Sequence, residues 1–426
     1  MTEIFILFGL LFLFMFLGIP IAFSLGITSV IVAIYYEIPL LLLFQNMVSG
    51  INNFTFLAVP FFILAAQIMT DGEISDKIMK FASVIVGKIR GGTAMVNVTS
   101  SMFFGGVSGS SVADVSSIGS MLIPAMKKQG YDKDYSVAVT VTSSTQGVII
   151  PPSQNMIYYA IAAGGISISE LFLAGFLPGI MLGIALMIVT YLLAVKRKYP
   201  KGRGYTLKES LHIIKEASLG ILTAVIIIGG IIFGIFTATE SAAVAAVYAL
   251  LITTFIYKNM TFKKIKKILY SSSKTLGMIV AIIATSSAFG YVMAYLRIPT
   301  MVSNFFLTIS ENPIVITLLI ILLLLVLGMF MDMGVLILLL TPILLPVATM
   351  AGIDPIHFGV IMVLTLGIGL CTPPVGTSLF VGCAIAGLPI EKSIKALLPF
   401  YLVMVLVVLL VTFIPSIALW IPSLAN

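Results

Sequence analysis

SSTQGVIIPPSQN, residues 143–155, interrupts an apolar run long enough to cross a bilayer. Adjacent prolines donate no backbone hydrogen bonds and their rings clash with the preceding turn, so a helix through this run breaks at Pro151 and Pro152. At membrane depth a break is tolerated only where the freed backbone groups face a cavity, a partner helix or an ion. The hydroxyls of Ser143, Ser144, Thr145 and Ser153 and the amide of Asn155 gather at this break. TLGIGLCTPPVGTS, residues 365–378, repeats the pattern: Gly369 matches Gly147, and Pro373 and Pro374 match Pro151 and Pro152. Paired discontinuous helices in two halves of a membrane chain point to a transporter's binding site.

The composition agrees. Of 426 residues, 60% are hydrophobic and 9% charged, the profile of an all-α polytopic membrane protein. No polar block is long enough to fold as a separate soluble domain. Glu3 stands where a cleaved signal needs basic residues, so no cleaved leader is expected. Cys371 and Cys383 lie in apolar segments, which argues against a disulfide framework. The net charge of +7 is what cytoplasmic loops of a membrane protein collect, and nucleic acid is not an expected partner.

Spans are expected over residues 4–35, 54–69, 135–163, 171–195, 219–236, 238–257, 276–295, 358–386 and 396–421. Two further stretches, 92–126 and 313–350, each hold two apolar arms around a polar centre: FGGVSGSSVAD (104–114) and GMFMDMG (328–334). Each reads as one span or as a re-entrant hairpin. Lysine and arginine decide between the two. With both stretches as hairpins and the N-terminus cytoplasmic, 22 of the 23 basic residues fall on the cytoplasmic side, leaving only Arg297 outside. If 92–126 crossed once, Lys88 and Arg90 would face the opposite compartment from Lys127 and Lys128. The positive-inside rule therefore favours two hairpins and nine full spans, with the C-terminus outside. Amphipathic segments 71–90 and 298–312 precede the hairpins, either as arms lying along the membrane surface or as ordinary connections.

A long-range repeat supports the hairpins. At an offset of 222, residues 106–165 lie over 328–387 with eleven of 60 positions identical, seven of them Gly or Pro. Such residues set backbone geometry, so their agreement outweighs shared leucines. Five spans separate the first broken span from its copy, and an odd number makes the repeat inverted. The expected organisation is a scaffold with the first arm over 1–91, a first transport half over 92–165, scaffold with the basic linker 196–215 and the second arm over 166–312, a second transport half over 313–387, and a C-terminal scaffold helix over 388–426.

Unwound carbonyls and hydroxyls are hard oxygen ligands suited to Na⁺, and half-helix N-termini point positive dipoles at an anion. The first half offers Gly106, Ser108, Ser110 and Ser111 at the hairpin tip and Ser144 and Thr145 at the break. The second offers Gly328 and Asp332 at its tip, then Gly367, Thr372 and Thr377. Pro151, Ser153, Asn155, Pro373, Ser378 and Asp114 are the candidates for the substrate itself. The competing account is that small residues only let helices pack closely. Asp114, Glu240 and Asp332 are the acids within apolar surroundings, where charge is costly; Glu240, following Thr237, also suits a helix cap. The scarcity of buried Asp, Glu and His favours Na⁺ over proton coupling. Enzyme readings fare badly: Gly106-Val107-Ser108-Gly109 matches the GxSG of intramembrane proteases, yet the histidines, His212 and His357, lie in the basic linker and at a span entrance. There is no phosphate-binding loop and no HExxH.

GIPIAFSLG (18–26), VPFFILAAQIM (59–69), SMFFGGVSGSSVADVSSIG (101–119), IIPPS (149–153), LFLAGFLPGI (171–180), GIFTATESAAVAAVYAL (234–250), TPILLPV (341–347) and GIDPIHFGVIMVLTLGIGLCTPPVGTSLFV (352–381) resemble the large membrane subunit of TRAP (tripartite ATP-independent periplasmic) transporters, in the ion-transporter superfamily. The resemblance spans nearly the whole chain, with Ala238 and Cys371 at positions where the family commonly has other residues. It implies an elevator-type permease in a bacterial inner membrane, driven by Na⁺ and moving a carboxylate inward. It implies two partners, a small four-helix membrane subunit and a periplasmic substrate-binding protein. Sialic acid is the first expected substrate and a C4-dicarboxylate the second. Rival readings are a stand-alone divalent-anion/Na⁺ symporter on the same architecture and, more remotely, an intramembrane hydrolase or scaffold.

Overall fold

The structure, a computed structural model, describes residues 2–52 and 54–425; Met1, Asn53 and Asn426 of the expected first and last segments lie outside the described residues. Among the described residues the fold is all-helical, with a single isolated bridge between Arg90 and Lys201. Six helices are by themselves long and apolar enough to cross a bilayer: Ile168–Lys196, Leu207–Ile232, Ala238–Ile256, Phe262–Tyr295, Met333–Met350 and Ile390–Phe413. The other expected spans are assembled from shorter pieces.

Most of these interruptions have a local chemical cause. The run 4–35, expected as one span, is two helices, Thr2–Phe16 and Ile21–Tyr35. Gly18 adopts a left-handed φ of +79°, the N–H of Ile19 reaches back to the carbonyl of Phe14, and Pro20 has no N–H to offer the next turn. Helix Leu40–Ile51, outside the expected spans, has 12 residues, too few to cross by itself. The last expected span, 396–421, is instead helix Ile390–Phe413, and the chain resumes as Ser416–Ala425 after Pro415. Only part of the expected linker 196–215 is a connection. A capping box between Thr206 and Glu209 starts helix Leu207–Ile232 inside it, and Gly91 N–H donates to Pro200 O and Gly202 N–H to Ile89 O.

Both ambiguous stretches are hairpins. The first descends as Gly92–Ser108, turns at Gly109 (φ +61°), and returns through Ser111–Asp114, a wider π-helical turn at Val115–Gly119, and Ser120–Lys128. Its two ends meet: Thr93 Oγ1 donates to Gln129 Oε1 at 2.6 Å. Lys88 and Lys127 therefore share one end of the molecule. Cysteines placed at these two positions are expected to react with a membrane-impermeant maleimide from the same face of sealed vesicles; labelling from opposite faces would break the two-fold architecture. The second hairpin pairs Pro313–Gly328 with Met333–Met350, and helix Ile298–Ile309 meets it at 119°. The first arm, helix Ile74–Val86, lies on the first hairpin, with the Phe81 and Phe103 rings 5.4 Å apart.

The broken spans are Lys133–Ser143, Gln146–Ile149 and Gln154–Ala162 in the first half, and Pro355–Gly369 and Thr377–Ala386 in the second. Helix Ile168–Lys196 packs along the first hairpin, both broken spans and helix Ile390–Phe413. Its Gly175, Gly179 and Gly183 stand four residues apart and form a smooth stripe. A Cβ added to Gly179 would meet Ile150 Cγ1 at 2.5 Å, and one on Gly183 would meet Gln146 Oε1 at 2.5 Å. Small residues at this spacing let the unwound segment lie against the helix backbone. A second group of helices, Ile21–Tyr35, Leu40–Ile51 and Ala58–Asp71, packs on Phe262–Tyr295, with Ala58–Asp71 also lying along Ala238–Leu251.

Candidate functional site: the meeting of two hairpin tips

The hairpin tips and the breaks interlock in pairs. In the first half Gly105 faces Gly147; a Cβ on Gly105 would stand 2.6 Å from the Cα of Gly147. In the second half Gly328 faces Gly369; a Cβ on Gly369 would stand 2.5 Å from the carbonyl carbon of Gly328. Backbone meets backbone at both places, which only glycine permits. Thr145 and Gly367, equivalent in the repeat, also lie against each other, with a Cβ on Gly367 reaching within 4.0 Å of Thr145 Cβ. Contact between equivalent positions marks the pseudo-two-fold axis.

Around that axis lies a polar cavity of about 150 Å³. The first tip supplies Ser110 and Ser111, the first break Gln154, Asn155 and Tyr158, and the second tip Asp332. Ser110 and Asp332 are equivalent in the repeat and each caps the helix that follows it. Ala113 N–H donates to Ser110 Oγ at 3.4 Å, and Gly334 N–H to Asp332 Oδ1 at 2.9 Å. Helix Gln154–Ala162 also starts at the cavity, capped by Ser153, whose hydroxyl bonds the Val148 carbonyl.

Behind the cavity a line of hydroxyls joins three elements. Ser111 Oγ lies 2.6 Å from Ser144 Oγ and 2.7 Å from Ser378 Oγ, linking the first tip, the first break and the helix after the second break. Ser144 also donates to Val141 O at 2.7 Å, and Thr145 Oγ1 to Thr142 O at 2.6 Å. Ser378, expected with the substrate set, is thus a partner of the first-half hydroxyls. Deeper still, fully buried Asp114 accepts from Ser101 Oγ at 3.0 Å while its Oδ2 has no hydrogen-bond partner among the described residues. Ser101 leads on to Ser143 at 3.2 Å, and Asn97 Nδ2 donates to Thr140 Oγ1 at 2.6 Å beside it.

The remaining candidates are placed less centrally. Gly106 and Pro151 line an apolar cavity of about 400 Å³ against helix Leu207–Ile232. Thr372 Oγ1 donates back to Ile368 O at 2.7 Å, and buried Thr377 Oγ1 has no partner among the described residues. The first break is buried, whereas Pro374 and Val375 of the second are exposed. Its freed backbone is nonetheless satisfied: Val375 N–H donates to Met329 O at 3.2 Å, and Tyr401 OH to Cys371 O. Both proline pairs, 151–152 and 373–374, are joined by cis peptide bonds.

Gln154 and Tyr158 were not singled out from sequence. Their spacing of four on a helix that begins at the break puts them on one face, and that was the available signal. Ser108 Oγ donates to Ser110 O at 3.4 Å, while His357 Nε2 sits 2.8 Å from Val411 O and His212 pairs with Glu216, so neither histidine serves Ser108. Glu240 completes a capping box with Thr237, accepting its N–H at 2.8 Å.

The fold and the sequence both have relatives. The chain resembles the crystal structure of the Alcanivorax borkumensis YdaH transporter at a TM-score of 0.64 and 13% identity, over 89% of this chain and 90% of that one. The C4-dicarboxylate TRAP transporter large permease protein DctM of Vibrio cholerae is 39% identical over 98% of this chain and 97% of its own length. The sialic acid TRAP transporter large permease protein SiaM of the same organism is 39% identical over 96% of both chains. The model of the DctM component of tripartite ATP-independent periplasmic transporters matches residues 8–417. This chain is therefore a member of that family, a large TRAP permease subunit built on an inverted repeat of hairpins and broken helices.

Proposed function

We propose that this chain is the large permease subunit of a Na⁺-coupled importer that receives a carboxylate from a periplasmic binding protein and works beside a small membrane subunit. The observation that carries the proposal is the convergence of both hairpin tips and the first break on one polar cavity. The family's description as tripartite and the relatives' designation as large permease proteins support the two partners. The proposed setting is a bacterial inner membrane with the N-terminus cytoplasmic and the C-terminus periplasmic, an orientation supported by the 22 of 23 basic residues it puts on the cytoplasmic side.

Na⁺ suits the donors at hand. Hydroxyls and backbone carbonyls are hard oxygen ligands, the kind a dehydrated Na⁺ takes. One ion is assigned to Gly106, Ser108, Ser110, Ser111, Ser144 and Thr145. A second is assigned to Gly328, Asp332, Gly367, Thr372 and Thr377. The substrate carboxylate is placed at the start of helix Gln154–Ala162, where the dipole is positive and the Asn155 amide donates. The hairpins and the broken spans are the moving body of this elevator, and helices Ile168–Lys196 and Ile390–Phe413, expected as scaffold, pack along them. These and the remaining helices form the scaffold.

The two relatives with different substrates are equally similar, so their names do not choose between sialic acid and a C4-dicarboxylate. Nor does cavity size choose. The cavity of about 150 Å³ is smaller than the roughly 300 Å³ of most ligand pockets, so either acid requires the tips to part. Labelled succinate and sialic acid are to be offered to proteoliposomes holding the chain with its partner subunit and binding protein. Uptake of one acid is expected to need an inward Na⁺ gradient. Uptake by this chain without binding protein would favour the stand-alone symporter, and uptake indifferent to Na⁺ would refute the coupling.

A further inference from the structure

We infer that the first turns of helix Phe262–Tyr295 form a binding surface for anionic phospholipid of the cytoplasmic leaflet. The inference rests on the membrane orientation proposed above. This helix has 34 residues, about 50 Å at 1.5 Å per residue, against a hydrocarbon core of about 30 Å. Its C-terminal part, 275–295, carries no charged residue, so the surplus length lies at its start, FKKIKKILYSSSK (262–274). Between positions 258 and 274 the chain carries six lysines and no acid.

Two of the six are neutralised. Lys267 Nζ lies 3.5 Å from Asp71 Oδ2, and Lys264 Nζ lies 4.0 Å from Glu73 Oε1, both at the end of helix Ala58–Asp71. Lys258, Lys263, Lys266 and Lys274 are exposed and have no carboxylate partner among the described residues. Helical spacing sets Lys263, Lys266, Tyr270 and Lys274 on one face and carries that face on to Gly277 and Met278. Tyr270 is 75% exposed, Met278 57% exposed, and nothing lies within 4 Å of a Cβ added to Gly277. The stripe thus runs from Lys263 and Lys266, past the Tyr270 ring and Lys274, to a bare apolar surface with a notch. An anionic lipid fits this order, with its phosphate among Lys266, Lys274 and the phenol and its acyl chains along Gly277 and Met278. A soluble anion would use the lysines and leave the apolar half of the stripe without a role.

The test reads lipid binding and not transport, so its failure leaves the transport proposal standing, and the converse. The purified full-length chain is equilibrated with mixed phosphatidylglycerol and phosphatidylcholine, and the retained lipid is measured by native mass spectrometry. Phosphatidylglycerol is expected to be preferred, with the preference falling in molar salt as screening shortens the reach of the lysines. Lys263→Gln, Lys266→Gln and Lys274→Gln should each weaken it on the order of fivefold, and the triple variant that combines them should weaken it further. Lys392→Gln/Lys395→Gln, far along the chain, should leave it unchanged. No preference in the unmodified chain, or an undiminished one in the triple variant, overturns the inference. Equal displacement by inorganic phosphate would overturn the lipid assignment and leave a simple anion site. If the triple variant is not recovered folded, Lys266→Gln alone and the salt titration of the unmodified chain decide the matter.

Discussion

Ser111→Ala is expected to weaken Na⁺ activation of uptake about 10- to 100-fold, the usual cost of losing a group that ligates or orients a bound ion, while the amount of inserted protein stays the same. The hydroxyl is the hub of the line behind the cavity, 2.6 Å from Ser144 Oγ and 2.7 Å from Ser378 Oγ. It stands on the first tip, and its two partners stand on the broken spans of the two halves. Removing it leaves Ser144 still donating to Val141 O and takes from buried Ser378 Oγ its bond to Ser111, a loss to folding of about 1–3 kcal/mol. An ion held between those elements loses a group that ligates or orients it as well. Ser111→Thr keeps the hydroxyl and should retain part of the activation. Ser116→Ala removes an exposed hydroxyl that only bonds Val112 O and should change nothing. Reconstituted Ser111→Ala with an unaltered Na⁺ dependence would remove this hydroxyl from the ion site.

Gly369→Ala and Gly105→Ala are expected to abolish transport or the yield of folded protein, whereas Gly147→Ala and Gly328→Ala are expected to be milder. The added methyl of Gly369 would lie 2.5 Å from a backbone carbon of Gly328, and that of Gly105 would lie 2.6 Å from the Cα of Gly147. Neither neighbour is a side chain that can rotate away, so relief requires the tip to leave the break. Overpacking of this kind costs about 1–3 kcal/mol or more. For Gly147 and Gly328 the nearest atom is a Cα at 3.2 Å, a gap that a shift of a few tenths of an ångström can open. Gly290→Ala, with nothing within 4 Å in the interior of a long helix, should be neutral or stabilising by up to about 1 kcal/mol. Yield and thermal midpoint in detergent, followed by uptake, give the ranking. Equal tolerance at Gly369 and Gly328 would show that the tips are not locked as described.

The glycine series separates what aligned letters suggest from what contact decides. In the repeat Gly147 is the counterpart of Gly369. In space their sensitivities differ, because the first tip meets its break through Gly105, one residue before the aligned Gly106. The same holds for Ser378, which joins Ser111 across 267 residues. It holds also for Gly106 and Pro151, which face an apolar cavity on the side of helix Leu207–Ile232.

The sequence by itself determined the breaks, the hairpins and the repeat. Proline lacks an N–H, and glycine adopts a left-handed φ without a Cβ penalty and lets backbones meet at contact distance; these are local facts of covalent chemistry. The count of lysines likewise placed both ends of the first hairpin together, and Thr93 and Gln129 are found joined there. Only the tertiary structure decided which helices are neighbours: that Ile168–Lys196 lies with the tips through its glycine stripe, and that Gln154 and Tyr158 face the cavity. Lipid tails are as apolar as leucine, so a helix face turned to the bilayer and one turned to another helix read alike in the letters. Shape and polar pairing tell them apart, and both exist only once the chain has folded.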